Sequence, residues 1–252
     1  MGIIGGTGGI GHWFAEFLAR VGCDVYVSGR RTGPRFADLT RMCPVIIVSV
    51  PIGVTCRIIR EVGPLMPGDS LLMDLTSVKA GPVQTMLESS ACEVIGLHPL
   101  FGPSVTSLAG QNIVLCPARG VSWLRWVREI LEENGACLTE TTPQHHDDMM
   151  GIIQGLNHFD TIAMGLALKA MTIDHRELGR FSTPIFRTKQ EIIDKVFADP
   201  RLHAEVVASH LRGNGILALF LDTVMRLRDL VDSEDADGLV TLMKDPVSGG
   251  GR

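Results

Sequence analysis

The run Ile3-Ile4-Gly5-Gly6-Thr7-Gly8-Gly9-Ile10-Gly11 constrains this chain more than any other segment. Gly6, Gly8 and Gly11 form a G-x-G-x-x-G pattern after a short apolar strand. Trp13, Phe14, Phe17 and Leu18 then recur at helical spacing as far as the stop at Gly22. A glycine turn alone is a weak signal; the strand before it and the helix after it give it weight. Such a turn presents unpaired backbone N–H groups at a helix N-terminus, where the dipole favours an anion such as a dinucleotide's pyrophosphate. Gly6, Thr7, Gly8, Gly9, Ile10 and Gly11 are therefore the expected cofactor-binding turn, and a nucleotide-dependent enzyme is the first expectation.

The next strand, Asp24-Val25-Tyr26-Val27-Ser28, ends in Gly29-Arg30-Arg31. NAD-binding folds usually place a carboxylate at this strand end to hold the ribose 2′-hydroxyl, whereas Arg accommodates a 2′-phosphate. Here no carboxylate stands at the strand end. Ser28, Arg30 and Arg31 offer a hydroxyl and two guanidinium forks, groups suited to a phosphate dianion. NADP is expected in preference to NAD; the plain alternative is a pair of solvated loop arginines.

At 252 residues the chain has length for one large domain or two modest ones. Its 23 basic and 28 acidic side chains include no long run of one sign, which argues against a nucleic-acid footprint and for small-molecule chemistry. Six scattered cysteines without a C-x-x-C pair read as reduced, packed thiols, with neither a disulfide framework nor a zinc site. No signal peptide precedes the first strand, and the apolar runs are too short and interrupted to span a bilayer. A soluble, cytoplasmic protein without a metal is expected.

Up to about residue 140, strand patterns at 45–50, 70–75, 94–97, 112–115 and 136–140 alternate with helical ones, including an amphipathic helix at 121–134. This alternation predicts an α/β fold, an N-terminal Rossmann-type, doubly wound, mostly parallel sheet over residues 1–142. From Pro143 the strand signals cease, and helices are expected at 144–171, 188–197, 201–231 and 234–243. Residues 143–247 thus read as an all-helical C-terminal domain that closes a substrate cleft, forms a dimer, or both, and 248–252 as a disordered tail. On the first of these helices Asp147, Gly151, Gln154, His158, Thr161 and Gly165 form a polar stripe among apolar faces. The stripe either faces solvent or lines a polar cavity; the lack of Lys and Glu favours the cavity.

In open α/β sheets ligands bind outside the carboxyl ends of the strands. The polar residues there are Ser49, the run Thr76-Ser77-Val78-Lys79, and His98, which opens the turn Pro99-Leu100-Phe101-Gly102-Pro103. A histidine with a near-neutral pKa beside a nicotinamide can take a proton from a substrate hydroxyl. Taken alone, it is as readily structural.

The runs Val48-Ser49-Val50-Pro51-Ile52, Asp74-Leu75-Thr76-Ser77-Val78-Lys79 and Leu97-His98-Pro99-Leu100-Phe101-Gly102-Pro103 resemble the prephenate dehydrogenase family, enzymes of tyrosine biosynthesis that include arogenate dehydrogenases. So do His146-Asp147, Gln154-Gly155-Leu156-Asn157-His158-Phe159 and Ser182-Thr183-Pro184-Ile185-Phe186-Arg187, in the same order, and the likeness runs from Gly2 to about residue 215. The resemblance implies oxidative decarboxylation of prephenate, or of arogenate as the alternative substrate, with hydride transfer to NADP or NAD. It implies that His98 is the general base, that Ser77 orients the hydroxyl and His98, and that Arg187 holds a substrate carboxylate. Gln154 and His158 are expected in the substrate pocket, with His146 and Lys79 in support, and Ser49, Val50 and Pro51 beside the cofactor. Without the resemblance, Arg187 reads as an exposed helix-start arginine.

Many relatives carry an acidic residue where this chain has Ser28-Gly29-Arg30, so the resemblance leaves the cofactor to the local residues. No fused chorismate mutase or regulatory module is expected. A homodimer through the helical domain is implied, with Leu217, Phe220, Leu221 and Met225 as a candidate stripe that intramolecular packing would explain equally well. The competing readings are another two-domain NADP-dependent dehydrogenase of the β-hydroxyacid or imine reductase type and a catalytically silent NADP-binding sensor.

Overall fold

The computed structural model describes residues 1–171, 175–213 and 215–244. The expected disordered tail at 248–252 lies outside the described residues.

The strands are β1 (Gly2–Ile4), β2 (Tyr26–Ser28), β3 (Val45–Val48), β4 (Leu71–Asp74), β5 (Glu93–Pro99), β6 (Asn112–Arg119) and β7 (Cys137–Glu140). They form one sheet in the order β2-β1-β3-β4-β5-β6-β7. All neighbouring strands are parallel except β5 and β6. The parallel pairs are joined through α1 (Gly9–Arg20), α2 (Phe36–Met42), α3 (Ile52–Val62), α4 (Ala80–Ser89) and α5 (Ser122–Glu132). Between β5 and β6 no helix intervenes, so the chain returns beside β5 as an antiparallel partner.

Period-two alternation divides the apolar strand residues between two faces. Ile3, Ile47, Met73, Ile95 and Leu115 pack on one side with Trp13, Phe14, Phe17 and Leu18 of α1 and Val127 and Leu131 of α5. Ile4, Ile46, Val48, Leu72, Val94 and Val114 pack on the other with Leu39 of α2, Ile59 and Val62 of α3, and Val83 and Met86 of α4. Burial on both faces explains why β3 and β4 read as unbroken apolar runs. Cys43, Cys92 and Cys116 are buried among them, and burial pushes the Cys116 thiol up to about 12. Cys137 is exposed rather than packed, and all six are free thiols.

Helices follow one another from Pro143: α6 (Pro143–Met150), a π-helical turn (Gly151–Leu156), α7 (Asn157–Ala170), α8 (His175–Phe181), α9 (Pro184–Ala198), α10 (Pro200–Leu211), α11 (Ile216–Asp232) and α12 (Ala236–Lys244). Two expected helices are corrected. The one read at 144–171 is interrupted by the π turn. The one read at 201–231 is two helices, broken where Gly213 and Gly215 take φ of 80° and 74°, a region closed to ordinary residues. The helix read from residue 188 begins earlier, at Pro184, with the Thr183 hydroxyl accepting from the Phe186 N–H.

Two compact units are distinguished, Met1–His210 and Leu211–Arg252. The change from strands to helices at Pro143 falls inside the first. There α7 lies so close to α9 that a Cβ at Gly165 would stand 2.6 Å from the Phe197 ring. In the second unit neither α11 nor α12 has a buried residue. Among the described residues no helix is long and apolar enough to cross a membrane.

Candidate active site

The sheet order reverses at β1, with β2 on one side and β3 on the other, and a crevice opens where their carboxyl ends diverge. A cavity of about 510 Å³ occupies this place, lined by Gly5, Thr7, Gly8, Ser28, Arg30 and Arg31 on one side. Ser49, Val50 and Pro51 line it from the end of β3. The turn after β1 is built for close approach. Gly5 has φ of +86°, and a Cβ on it would lie 1.9 Å from the Ser49 carbonyl; a Cβ on Gly8 would meet nothing nearer than the Gly5 carbonyl at 3.6 Å. The first-turn N–H groups of α1 lack intrahelical partners, which suits a pyrophosphate. Gly9, Ile10 and Gly11 are at this helix start; Gly11 is buried, where a Cβ would collide with the Gly5 carbonyl at 2.6 Å.

One expected cofactor group is already engaged. The Ser28 hydroxyl is buried and donates to the Pro34 carbonyl at 2.9 Å, so its proton serves the β2–α2 turn rather than a phosphate. Arg30 and Arg31 make no hydrogen bond or ion pair with any described residue and stay available to a ligand. Sequence reasoning missed Phe36, Val54, Arg57 and Ile58, which complete the lining from α2 and α3. Their place follows from helical spacing on α3, once that helix is known to border the crevice.

At the end of β5, His98 is 3% exposed. The segment after it is clamped onto α1: the Trp13 indole N–H donates to the Val105 carbonyl, and the Trp13 and Phe101 rings meet edge-on at 5.1 Å. This brings the histidine's own loop against the helix whose N-terminus borders the crevice.

A chain of hydrogen bonds fixes the imidazole. His98 Nδ1 lies 2.8 Å from His146 Nε2, and His146 Nδ1 lies 2.8 Å from Asp147 Oδ1. Asp147 in turn accepts from the backbone N–H of Lys79 at 2.7 Å and of Ala80 at 2.9 Å, capping α4 from α6. An ionised carboxylate only accepts, so His146 donates through Nδ1, and in a neutral His146 ring Nε2 is then the acceptor. His98 therefore donates through Nδ1 and keeps the lone pair on Nε2, to which Gln154 Nε2 comes within 3.4 Å. Burial pushes the Asp147 carboxyl upward, yet hydrogen bonds from His146, Ala80 and Lys79 outweigh it and hold it below the usual range.

The near-neutral pKa expected for His98 is corrected. Burial, reinforced by Lys79, His146 and His210, lowers it well below the ordinary value, so the ring is neutral near pH 7. Lys79 lies beneath the site. Its ammonium is fully buried, paired with Asp74 and donating to the Leu97 carbonyl at 2.9 Å, one residue before His98. Ser77, half-buried, makes no hydrogen bond to His98 or any other described residue.

The polar stripe faces the interior. Gly151, Thr161 and Gly165 are buried, and His158 meets His203 of α10 with ring centroids 4.6 Å apart. Burial lowers His158, with His203 adding to it; burial lowers His203 against the pull of Asp199, and takes His210 down to about 4. These rings are neutral near pH 7. Arg187 is exposed in the first turn of α9, its guanidinium donating to the Ser182 carbonyl at 3.4 Å; among the described residues no contact joins it to His98.

The family model of the prephenate dehydrogenase nucleotide-binding domain matches residues 15–140, and that of the dimerization domain matches residues 142–245. A probable arogenate/prephenate dehydrogenase of Methanocaldococcus jannaschii is 35% identical over 263 residues, covering 96% of this chain and 59% of that protein. The T-protein of Haemophilus influenzae is 33% identical over 239 residues, covering 94% of this chain and 63% of its own. The chain thus spans about three fifths of the length of these curated relatives. Among solved structures, the prephenate dehydrogenase of A. aeolicus in complex with hydroxyphenyl propionate and NAD+ has the same fold, with a TM-score of 0.74 at 19% identity over 97% of this chain and 94% of that one. With the two family models matched in order across nearly its whole length, the chain belongs to the prephenate dehydrogenase family.

Proposed function

We propose that this protein catalyses the oxidative decarboxylation of prephenate, with arogenate as the alternative substrate, using NADP in preference to NAD. The observation that carries the proposal is the His98–His146–Asp147 chain at the end of β5, which with His146 neutral leaves the His98 lone pair on Nε2, while the loop after His98 is held against α1, whose N-terminus borders the crevice. Residues 1–142 serve as the dinucleotide-binding part and 143–247 as the substrate and dimer part.

The glycine turn and the residues after β3 would hold a nicotinamide dinucleotide, and Arg30 and Arg31 the 2′-phosphate. When bound, the nicotinamide supplies the hydride acceptor. As hydride leaves the hydroxyl-bearing carbon, the hydroxyl proton passes to His98 Nε2. It returns to the phenol oxygen when the ring carboxylate departs as carbon dioxide and its bonding pair completes the aromatic ring. Aromatisation supplies much of the driving force, so the protein mainly positions reactants and moves one proton. Because the nearby histidines are neutral, a dianionic substrate needs a permanent cation, and Arg187 has the chemistry for it. Gln154 and His158 line the pocket, and Ser77 meets the substrate hydroxyl.

The test is formation of reduced cofactor by the purified protein, with prephenate and arogenate each offered NADP and NAD. Turnover fastest with NADP supports the reading; silence in all four pairings, from protein that binds NADP, overturns it in favour of a sensor.

Asp147→Asn tests the hydrogen-bond chain. An amide can donate to His146 Nδ1 and so favour the wrong tautomer at His98. A fall in kcat of roughly 10²-fold with little change in KM is expected, smaller than the ~10⁴ for an aspartate directly on a catalytic histidine. An unchanged kcat would remove Asp147 from the mechanism.

Exposed apolar side chains on α11 and α12, among them Leu219, Val231 and Met243, support a homodimer, the partner being a second copy. Sedimentation is expected to give a dimer mass; a monomer at every concentration refutes it.

A further inference from the structure

Three positive charges gather at one opening of a chain whose formal net charge is −5. Arg30 and Arg31 approach the dinucleotide cavity from the end of β2, and Arg57 approaches from α3 on the other wall; no Asp or Glu is among the lining residues. Val54, Arg57 and Ile58 stand at i, i+3 and i+4, so one face of α3 presents an apolar strip with a cation beside it. The strip suits the flat, apolar face of an adenine, and the cation suits an anion attached to the same nucleoside. Ser28, a neutral donor in the same lining, is spent on the Pro34 carbonyl.

Arg57 is held in place without being used up. Its Nη1 lies 3.3 Å from Glu61 Oε1, one turn further along α3, and both side chains are about half exposed or more. An exposed pair of this kind is worth at most about 1 kcal/mol, so a phosphate dianion can displace it.

We infer that Arg57 is a specificity-determining residue for the adenosine 2′-phosphate, gripping it from the α3 side while Arg30 and Arg31 hold it from the β2 side. The inference rests on the NADP reading above, and direct titration separates the two without turnover. Calorimetric titration of the whole chain with 2′,5′-ADP and with 5′-ADP is expected to show tighter binding of 2′,5′-ADP. Arg57→Gln is expected to weaken 2′,5′-ADP about tenfold or more, the size of one lost charge-assisted hydrogen bond, and to leave 5′-ADP within about twofold. If the unmodified chain binds both nucleotides alike, the NADP reading itself fails. If it prefers 2′,5′-ADP and Arg57→Gln keeps that preference, or weakens both nucleotides equally, the NADP reading stands and the role of Arg57 is overturned.

Discussion

His98→Asn is expected to lower kcat by about 10²–10⁴-fold, the range that a positioned general base contributes. Asn fills much of the same space and can still donate a hydrogen bond to His146, so nucleotide affinity should be unchanged and the loss confined to the chemical step. The pH profile carries a second signature. A histidine general base works only when neutral, and burial together with Lys79, His146 and His210 lowers the pKa of His98. The acid limb of kcat/KM for the unmodified protein is therefore expected below the usual histidine value of about 6.5, with activity lost as pH falls through that lowered value. A limb above 6.5, or a kcat within tenfold of the unmodified protein in His98→Asn, would contradict the assignment.

The second large effect is on stability. Lys79 and Asp74 are both fully buried and paired with each other. Breaking a buried pair by removing one partner leaves an uncompensated charge and costs about 3–5 kcal/mol. Lys79→Met also deprives the Leu97 carbonyl of its donor. At about 2–4 °C per kcal/mol for a chain of this size, Tm is expected to fall by roughly 6–20 °C. Burial already pushes the Asp74 carboxyl upward against the pull of Lys79, so in the single variant it is expected to hold a proton. Adding Asp74→Leu removes the orphaned group and should restore much of the loss, because a buried ion pair replaced by apolar residues of similar volume is often neutral. If the single variant melts with the unmodified protein, the pair does not support the floor beneath His98.

Much of this arrangement was legible in the sequence because it rests on periodicities. The short apolar runs at β3, β4 and β5 marked the strands, and the glycine turn after β1 marked the crevice. Other features depend on contacts between residues distant in the chain. Nothing local to Lys79 says that its ammonium is buried against Asp74 and the Leu97 carbonyl, so the sequence offers it only as a support to the substrate pocket. In the sequence Asp147 stands in a polar stripe and in the His146-Asp147 run; its place between His146 and the start of α4 depends on a contact spanning 68 residues. The antiparallel course of β6 follows from the missing crossover helix, and Arg119 steadies its far end by bonding the carbonyls of Leu87, Ser90 and Cys92. The π turn at Gly151–Leu156 shifts helical phase without a distinctive residue, so a simple 3.6-residue count ran through it. Arg57 escaped notice because a lone arginine on an amphipathic helix ordinarily faces solvent.

The most direct test of the central claim is to measure reduced cofactor and carbon dioxide released in the same reaction with prephenate. The account predicts one carbon dioxide for each hydride transferred, both lost together in His98→Asn. Hydride transfer without carbon dioxide would identify a simple alcohol dehydrogenation and contradict it.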